Sequence, residues 1–413
     1  MAEVATSQAP SFPMDRACPM RPPAEYASLR SRCPISRITM PDGQQAWLIT
    51  KYQHARALLV DRRVSSDRTH PAYPLVANAD RKLLQNQTYL SRLSLIGMDP
   101  PIHTAQRQMV ITEFSVRSVQ AMRPQIKQIV DKCVDDMLAC GGPVDLVQKL
   151  SLAVASQVIC ELLGVPYADR EVFQERTKVL NRRTSTLQQG MAAANELYAY
   201  LDDLVTAKEA APGDDLLGRL IVKNRKTGTL DHGAVVGMAT LLLQAGHETT
   251  TNMISLGTVA LLEHPTQLAE LRANPKLIPQ AVEELLRYLS VSDVGTSRVA
   301  TEDIEINGET IRAGEGIVVA GMAANWDDEV FAEPERLDIH RSARHHLAFG
   351  FGVHQCLGQN LARLELEIVF ETLFRQIPDL RLAVPAAELP YKDDAFIYGL
   401  YEVPVTWSDR KTS

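Results

Sequence analysis

The chain has 413 residues, 45% hydrophobic and 23% charged, ordinary proportions for a globular protein. A net charge of −7 without a long basic run argues against nucleic acid as a partner. No stretch reaches the roughly 18 consecutive apolar residues of a membrane span.

Residues 1–23 are rich in Ala, Ser and Pro, lack the apolar core of a signal peptide, and read as a flexible leader. Residues 24–413 read as one domain, mainly α with a small β region. A first helix is expected over Ala24–Arg30, then a hairpin over Ser36–Thr50 turning at Asp42-Gly43. Amphipathic helices follow from Ile102 to Leu163, punctuated by Pro124 and Gly141-Gly142-Pro143. Glu171–Leu180 and Ala192–Lys208 are further helices, joined by a polar stretch. A long helix starts after Asp231, a good N-cap, and stops at Pro265. Leu277–Leu289 is helical, Ile304–Ile311 a hairpin turning at Asn307-Gly308, and Asn325–His346 an irregular loop.

None of the six cysteines forms Cys-x-x-Cys, which disfavours zinc ribbons and thioredoxin-type motifs. Cys133, Cys140 and Cys160 lie in helical patterns and read as small core residues. Cys356 differs. It sits in Phe349-Gly350-Phe351-Gly352-Val353-His354-Gln355-Cys356-Leu357-Gly358, just before an amphipathic helix over Leu357–Phe370. The helix dipole and free amides there favour an anion and predict a lowered thiol pKa. Its glycines allow a flat ligand to approach the backbone. The competing reading is a buried cysteine in a turn.

Along the long helix runs Leu241-Leu242-Leu243-Gln244-Ala245-Gly246-His247-Glu248-Thr249-Thr250. Thr249 is expected to bond back to the Ala245 carbonyl, with Gly246 removing bulk to leave a groove. His247-Glu248 begins like a zinc-protease motif, but Thr251 stands where the second histidine belongs.

The cysteine loop resembles the haem-binding signature of the cytochrome P450 superfamily, with every fixed position present. The long-helix segment resembles that superfamily's oxygen-activation motif, and Glu284-Leu285-Leu286-Arg287 its Glu-x-x-Arg. The resemblance spans Ser11 to Trp407 and is closest to soluble actinobacterial hydroxylases of macrolides, secosteroids and xenobiotics. It implies the triangular P450 fold with haem b between the long helix and the cysteine-bearing helix. Cys356 would be the axial iron ligand, flanked by Phe349, Gly350, Ala245 and Gly246. His103, Arg107, Arg298 and His354 would hold the haem propionates, and Thr249 with Glu248 would deliver protons. Glu284 and Arg287 would be structural, tied to a basic residue, with Arg336 the candidate and Arg341 second. One departure is Trp326, where relatives carry Arg in Ala-Asn-Arg-Asp.

The implied activity is a monooxygenase acting on a hydrophobic small molecule and O2, monomeric and cytoplasmic. No Gly-x-Gly-x-x-Gly occurs, so electrons come from outside. The resemblance implies a ferredoxin with an NAD(P)H-dependent reductase, docking near Arg344, His345, His346 and Arg363. Leu241, Gln244, Val294, Phe396 and Ile397, with the loop from Thr69 to Ile96, are the expected substrate contacts. Alternatives are a nitric oxide reductase fed directly by NADH and a non-catalytic haem sensor.

Overall fold

The computed structural model describes residues 9–76, 95–292 and 296–408. In chain order the elements are α1 (Ala24–Arg32), β1 (Ile35–Thr39), β2 (Gln45–Ile49), α2 (Tyr52–Val60), β3 (Val64–Ser65) and α3 (Ile102–Val110). Then come α4 (Val116–Ala121), α5 (Arg123–Cys140), β4 (Val144–Asp145), α6 (Leu152–Leu163), α7 (Arg170–Asn181) and α8 (Leu187–Ala210). They continue with α9 (Leu216–Thr227), α10 (His232–Leu262), α11 (Pro265–Ala273), α12 (Ile278–Leu289), β5 (Ser297–Ala300), β6 (Ile304–Ile306) and β7 (Glu309–Ile311). The last are β8 (Gly316–Val319), α13 (Gly321–Asn325), α14 (Gln359–Gln376), β9 (Arg381–Leu382) and β10 (Pro404–Thr406).

Local chemistry sets the boundaries. Asp231 caps α10 by accepting from the Ala234 amide, and Pro265 opens the next helix. Thr186 and Gln189 form a reciprocal capping box, so α8 begins at Leu187, five residues before the sequence expectation. Pro124 lies in the first turn of α5, where its missing N–H is harmless. Both expected hairpins form, with Gly43 and Gly308 each at φ 81°.

One sheet orders its strands β1-β2-β8-β5-β3, with β2 and β8 parallel and the other neighbours antiparallel. A smaller sheet, β4-β10-β9, joins the chain's C-terminal part to its middle. The main core gathers the apolar faces of α5, α6, α8, α10, α12 and α14. Helix α10 is buried along most of its length and packs on α6, α8, α12 and α14. Its centre therefore lies inside the protein, with one face left open at Ala245.

Two expectations fail. The leader is not loose from residue 9 on: Ser11 bridges to Thr39, the Phe12 amide donates to the Thr39 carbonyl, and Phe12 is 2% exposed in a core cluster. A single aromatic among prolines anchors it. Cys140, at the end of α5, is exposed, whereas Cys133 and Cys160 are buried. The loop after α13 is irregular, as expected, but it is packed by Trp326, Phe331, Leu337, Ile339 and Ala343. Among the described residues, no helix is long and apolar enough to cross a membrane.

Candidate active site

The Cys356 amide donates to the Phe349 carbonyl at 2.8 Å, closing the loop ahead of α14. Gly350 and Gly352 have φ of 67° and 75°, the left-handed region that a side chain disfavours. A Cβ on Gly352 would also collide with the Leu59 carbonyl at the end of α2, whereas one on Gly350 would meet nothing. Gly352 thus serves loop-to-helix packing, and Gly350 leaves open space above the loop. Cys356 keeps accessible surface, yet surrounding protein desolvates its sulfur. These two facts place it on an inner wall.

The thiol pKa differs from the sequence expectation. Burial pushes the Cys356 thiol up, and this outweighs the Gly358 amide and the charges of Arg107 and Arg363. Helix α14 starts three residues further on, too far for its dipole to dominate. A metal cation at the sulfur reverses the balance, because a coordinating thiol is deprotonated outright.

The four expected cations converge beside this loop. The rings of His103 and His354 lie 4.2 Å apart between centroids. Arg107 Nη2 donates to the Gln355 carbonyl at 2.6 Å, and Arg298 Nη1 to the Ser297 carbonyl at 2.7 Å. Among the described residues, both ring nitrogens of His103 and Nε2 of His354 are buried without a partner. Burial, then the charges of Arg298, His103 and Arg107, drive the His354 pKa down to about 3. Neither arginine has a carboxylate partner among the described residues. Orphaned donors and crowded positive charge fit a ligand carrying two carboxylates, as haem does. The residues present therefore suit the group.

On α10 the Thr249 hydroxyl donates to the Ala245 carbonyl at 2.9 Å, as expected, and Ala245 is exposed at mid-helix. Gly246 has another use than the expected groove: a Cβ there would lie 2.5 Å from Ile159 Cδ1, so it permits close packing of α6 on α10. Glu248 is not free. Its Oε1 accepts from Lys392 Nζ at 2.6 Å and from Asn252 Nδ2 at 3.3 Å. Burial pushes its carboxyl up, but the charge and hydrogen bond of Lys392 win and hold it below the usual range. His247 is buried against Phe173 and bonded to the Leu243 carbonyl. Among the described residues no His/Cys/Asp/Glu cluster could hold a metal.

Glu284 and Arg287, both fully buried, form a fork of 2.7 and 2.9 Å. The sequence candidate for their third partner is wrong. Arg341 Nε reaches Glu284 Oε1 at 3.1 Å, while the Arg336 guanidinium lies outside, 3.5 Å from Glu333. Arg336 contributes only its carbonyl. Trp326 replaces a charged side chain with burial: its indole donates to the Tyr288 carbonyl at 3.0 Å and stacks on that ring.

Two of the four expected docking cations turn inward. Glu283 accepts from Arg363 Nε at 2.7 Å and His346 Nε2 lies 3.1 Å away, with Arg363 stacked 4.5 Å over Phe349. Arg344 and His345 remain exposed. Of the substrate candidates, Leu241 and Gln244 are half-buried on α10. Phe396 and Ile397 sit in a turn fixed to Asn181 and Asn252. Val294 and residues 77–94 of the expected loop lie outside the described residues. Lys392 was missed because nothing near it in sequence marks it; Asn252, four residues after Glu248 on one helix face, carried a usable signal.

Residues 34–377 match the family model described as Cytochrome P450. The chain is 49% identical to Cytochrome P450 105A3 of Streptomyces carbophilus, covering 98% of this chain and 99% of that one. It is also 49% identical to a vitamin D3 dihydroxylase of Streptomyces griseolus, covering 97% and 98% respectively. A crystal structure of the mycinamicin VIII C21 methyl hydroxylase MycCI of Micromonospora griseorubida, bound to mycinamicin VIII, superposes with TM-score 0.91. It is 45% identical, and the match covers 96% of this chain and all of that one. Hydroxylases among these relatives fit the monooxygenase reading, and not the nitric oxide reductase or sensor alternatives.

Proposed function

The chain belongs to the cytochrome P450 family and is a monooxygenase with a haem iron cofactor, and on that premise we propose roles for its residues. Cys356 would supply the thiolate that holds the iron, and the group would be haem b. When bound, it supplies dioxygen activation and oxygen insertion, favoured by the electron density a thiolate donates. The observation that carries this reading is the meeting of Cys356 with Arg107 and Arg298, which have no carboxylate partner among the described residues, and with His103 and His354, whose buried ring nitrogens lack partners there.

His103, Arg107, Arg298 and His354 hold the propionates. Arg363, over Phe349 and bonded to Glu283, keeps the loop in place and adds positive charge near the sulfur. The Thr249 hydroxyl spends its proton on the Ala245 carbonyl and leaves lone pairs to accept one from the interior. Glu248, held as a carboxylate by Lys392, relays that proton from the Lys392 ammonium rather than carrying one of its own.

The substrate is a hydrophobic small molecule of the secondary-metabolite, steroid-like or xenobiotic kind, as the names of the relatives suggest. A ferredoxin, served by an NAD(P)H-dependent reductase, brings the electrons, and the protein works as a monomer in the cytoplasm. Reconstitution with such a pair under isotopically labelled dioxygen tests the activity. Product carrying one labelled oxygen atom is expected. Rapid NADH consumption with nitric oxide, without ferredoxin, would overturn it.

A further inference from the structure

A cavity of about 290 Å³ lies between the anchored N-terminal segment and the C-terminal turn, near the lower end of small-molecule site volumes. Its apolar wall includes Met14, Tyr26, Val291, Phe396 and Tyr398. Its cations are Arg16, Arg183 and Lys392, and its acids are Asp15 and Asp393.

The cations are unequally committed. Lys392 is taken by Glu248 and Asn252. The Arg16 guanidinium sits 3.9 Å over the Tyr398 ring and, among the described residues, donates only to the Arg21 carbonyl, at 3.3 Å. Arg183 donates through Nη2 to the Asp393 carbonyl, and its Nε is buried without a partner among the described residues. Neither arginine has a carboxylate within ion-pair distance among the described residues. Asp15 and Asp393 also line the cavity and are exposed, but neither pairs with Arg16 or Arg183. Tyr398, 8% exposed, has a hydroxyl that also finds no partner among the described residues. By contrast, the shallow recess at Arg219, Lys223 and Lys226 has Arg219 paired with Glu113 and Lys223 bonded to backbone carbonyls.

Two half-buried guanidiniums without an ion-pair partner among the described residues, beside an aromatic wall, suit an anion with an apolar body. We propose that this cavity binds the carboxylate end of a small amphipathic molecule, with Arg16 and Arg183 taking the carboxylate. Tyr26, Val291, Phe396 and Tyr398 take the apolar part. The inference rests on the monooxygenase reading only for its relation to the reaction. Phe396 belongs to the turn that holds Lys392, and Lys392 touches Glu248. A ligand here is therefore either the far end of a substrate or a separate effector.

The test uses haem-loaded protein, 4-phenylbutyrate and its neutral analogue 4-phenylbutyramide, with binding followed by calorimetry and by the haem absorbance. The carboxylate is expected to bind at least tenfold more tightly than the amide, with the preference shrinking as salt is added. Arg16→Gln and Arg183→Gln should each weaken that preference, and the double variant should abolish it. Arg183→Lys should restore part of it. A haem band shift on binding identifies the substrate-end source, and binding without a shift identifies the effector. Absence of carboxylate binding at millimolar concentration, or a preference kept by the double variant, would overturn the proposal. The thiolate-type spectrum of the reduced carbon monoxide complex checks each variant independently, so failure here leaves the monooxygenase reading standing.

Discussion

Lys392 Nζ lies 2.6 Å from Glu248 Oε1, a buried ion pair joining residues 144 positions apart. It ties the C-terminal turn to the middle of α10, one residue before Thr249. Breaking a buried pair from one side costs about 3–5 kcal/mol. Lys392→Met should destabilise the protein on that order in urea unfolding. The pH dependence has a definite sign. In the wild type the Glu248 carboxyl is held below its ordinary value of 4.5, so its stabilisation is present above pH 4.5 and lost as pH falls through the lowered pKa. Without Lys392 burial, the largest influence, outweighs the remaining Asn252 hydrogen bond and His247, the pKa rises above 4.5, and stability is lost as pH rises. Urea midpoints from pH 5 to pH 8 separate the two; parallel profiles would remove Lys392 from the account.

Arg341 and Arg336 make a paired test. Arg341→Ala leaves fully buried Glu284 without one of its two cations and should cost on the order of 2–3 kcal/mol. Arg336→Ala removes an exposed guanidinium and should stay within about 0.5 kcal/mol. Unfolding midpoints and haem content report both. Equal effects would mean that the Glu284 cluster is not what the loop hangs on.

His247 gives a second pH signature. Burial holds its pKa below 6.5, so the folded state resists taking up a proton that the unfolded chain accepts. Its contribution is complete above pH 6.5 and lost as pH falls. Between pH 7.5 and pH 5.5 the wild type should lose more stability than His247→Leu does. An identical loss in both would assign the acid limb to other groups.

Thr249→Val keeps the side-chain shape and deletes the hydroxyl. Haem binding should be unchanged, while product formation falls on the order of 10²-fold and oxygen consumption is diverted to peroxide. Thr249→Ser should recover most of the coupling. Unchanged product yield in Thr249→Val would strip the hydroxyl of its proton-handling role.

Legibility in the sequence followed the range of the interactions. The Asn-Gly and Asp-Gly hairpins, the Asp231 cap and the glycine-flanked cysteine loop depend on neighbours, so they could be read directly. The four cations were legible through the family resemblance; their spacing alone did not bring them together. Choosing Arg336 over Arg341 failed because only the packed course of the loop decides which guanidinium points at Glu284. Arg363 and His346 looked like surface charge because Glu283, which both contact, lies far away in sequence. Phe12 could not be told from a frayed end until its pocket against β1 and β2 existed.

The central claim is that Cys356 presents a thiolate to haem iron. The most direct measurement is the absorbance of the reduced carbon monoxide complex in the wild type and in Cys356→Ala. The wild type should show the red-shifted band of thiolate-ligated haem, and the variant should lack it even where haem is still bound. A Cys356→Ala protein that keeps this band would contradict the assignment.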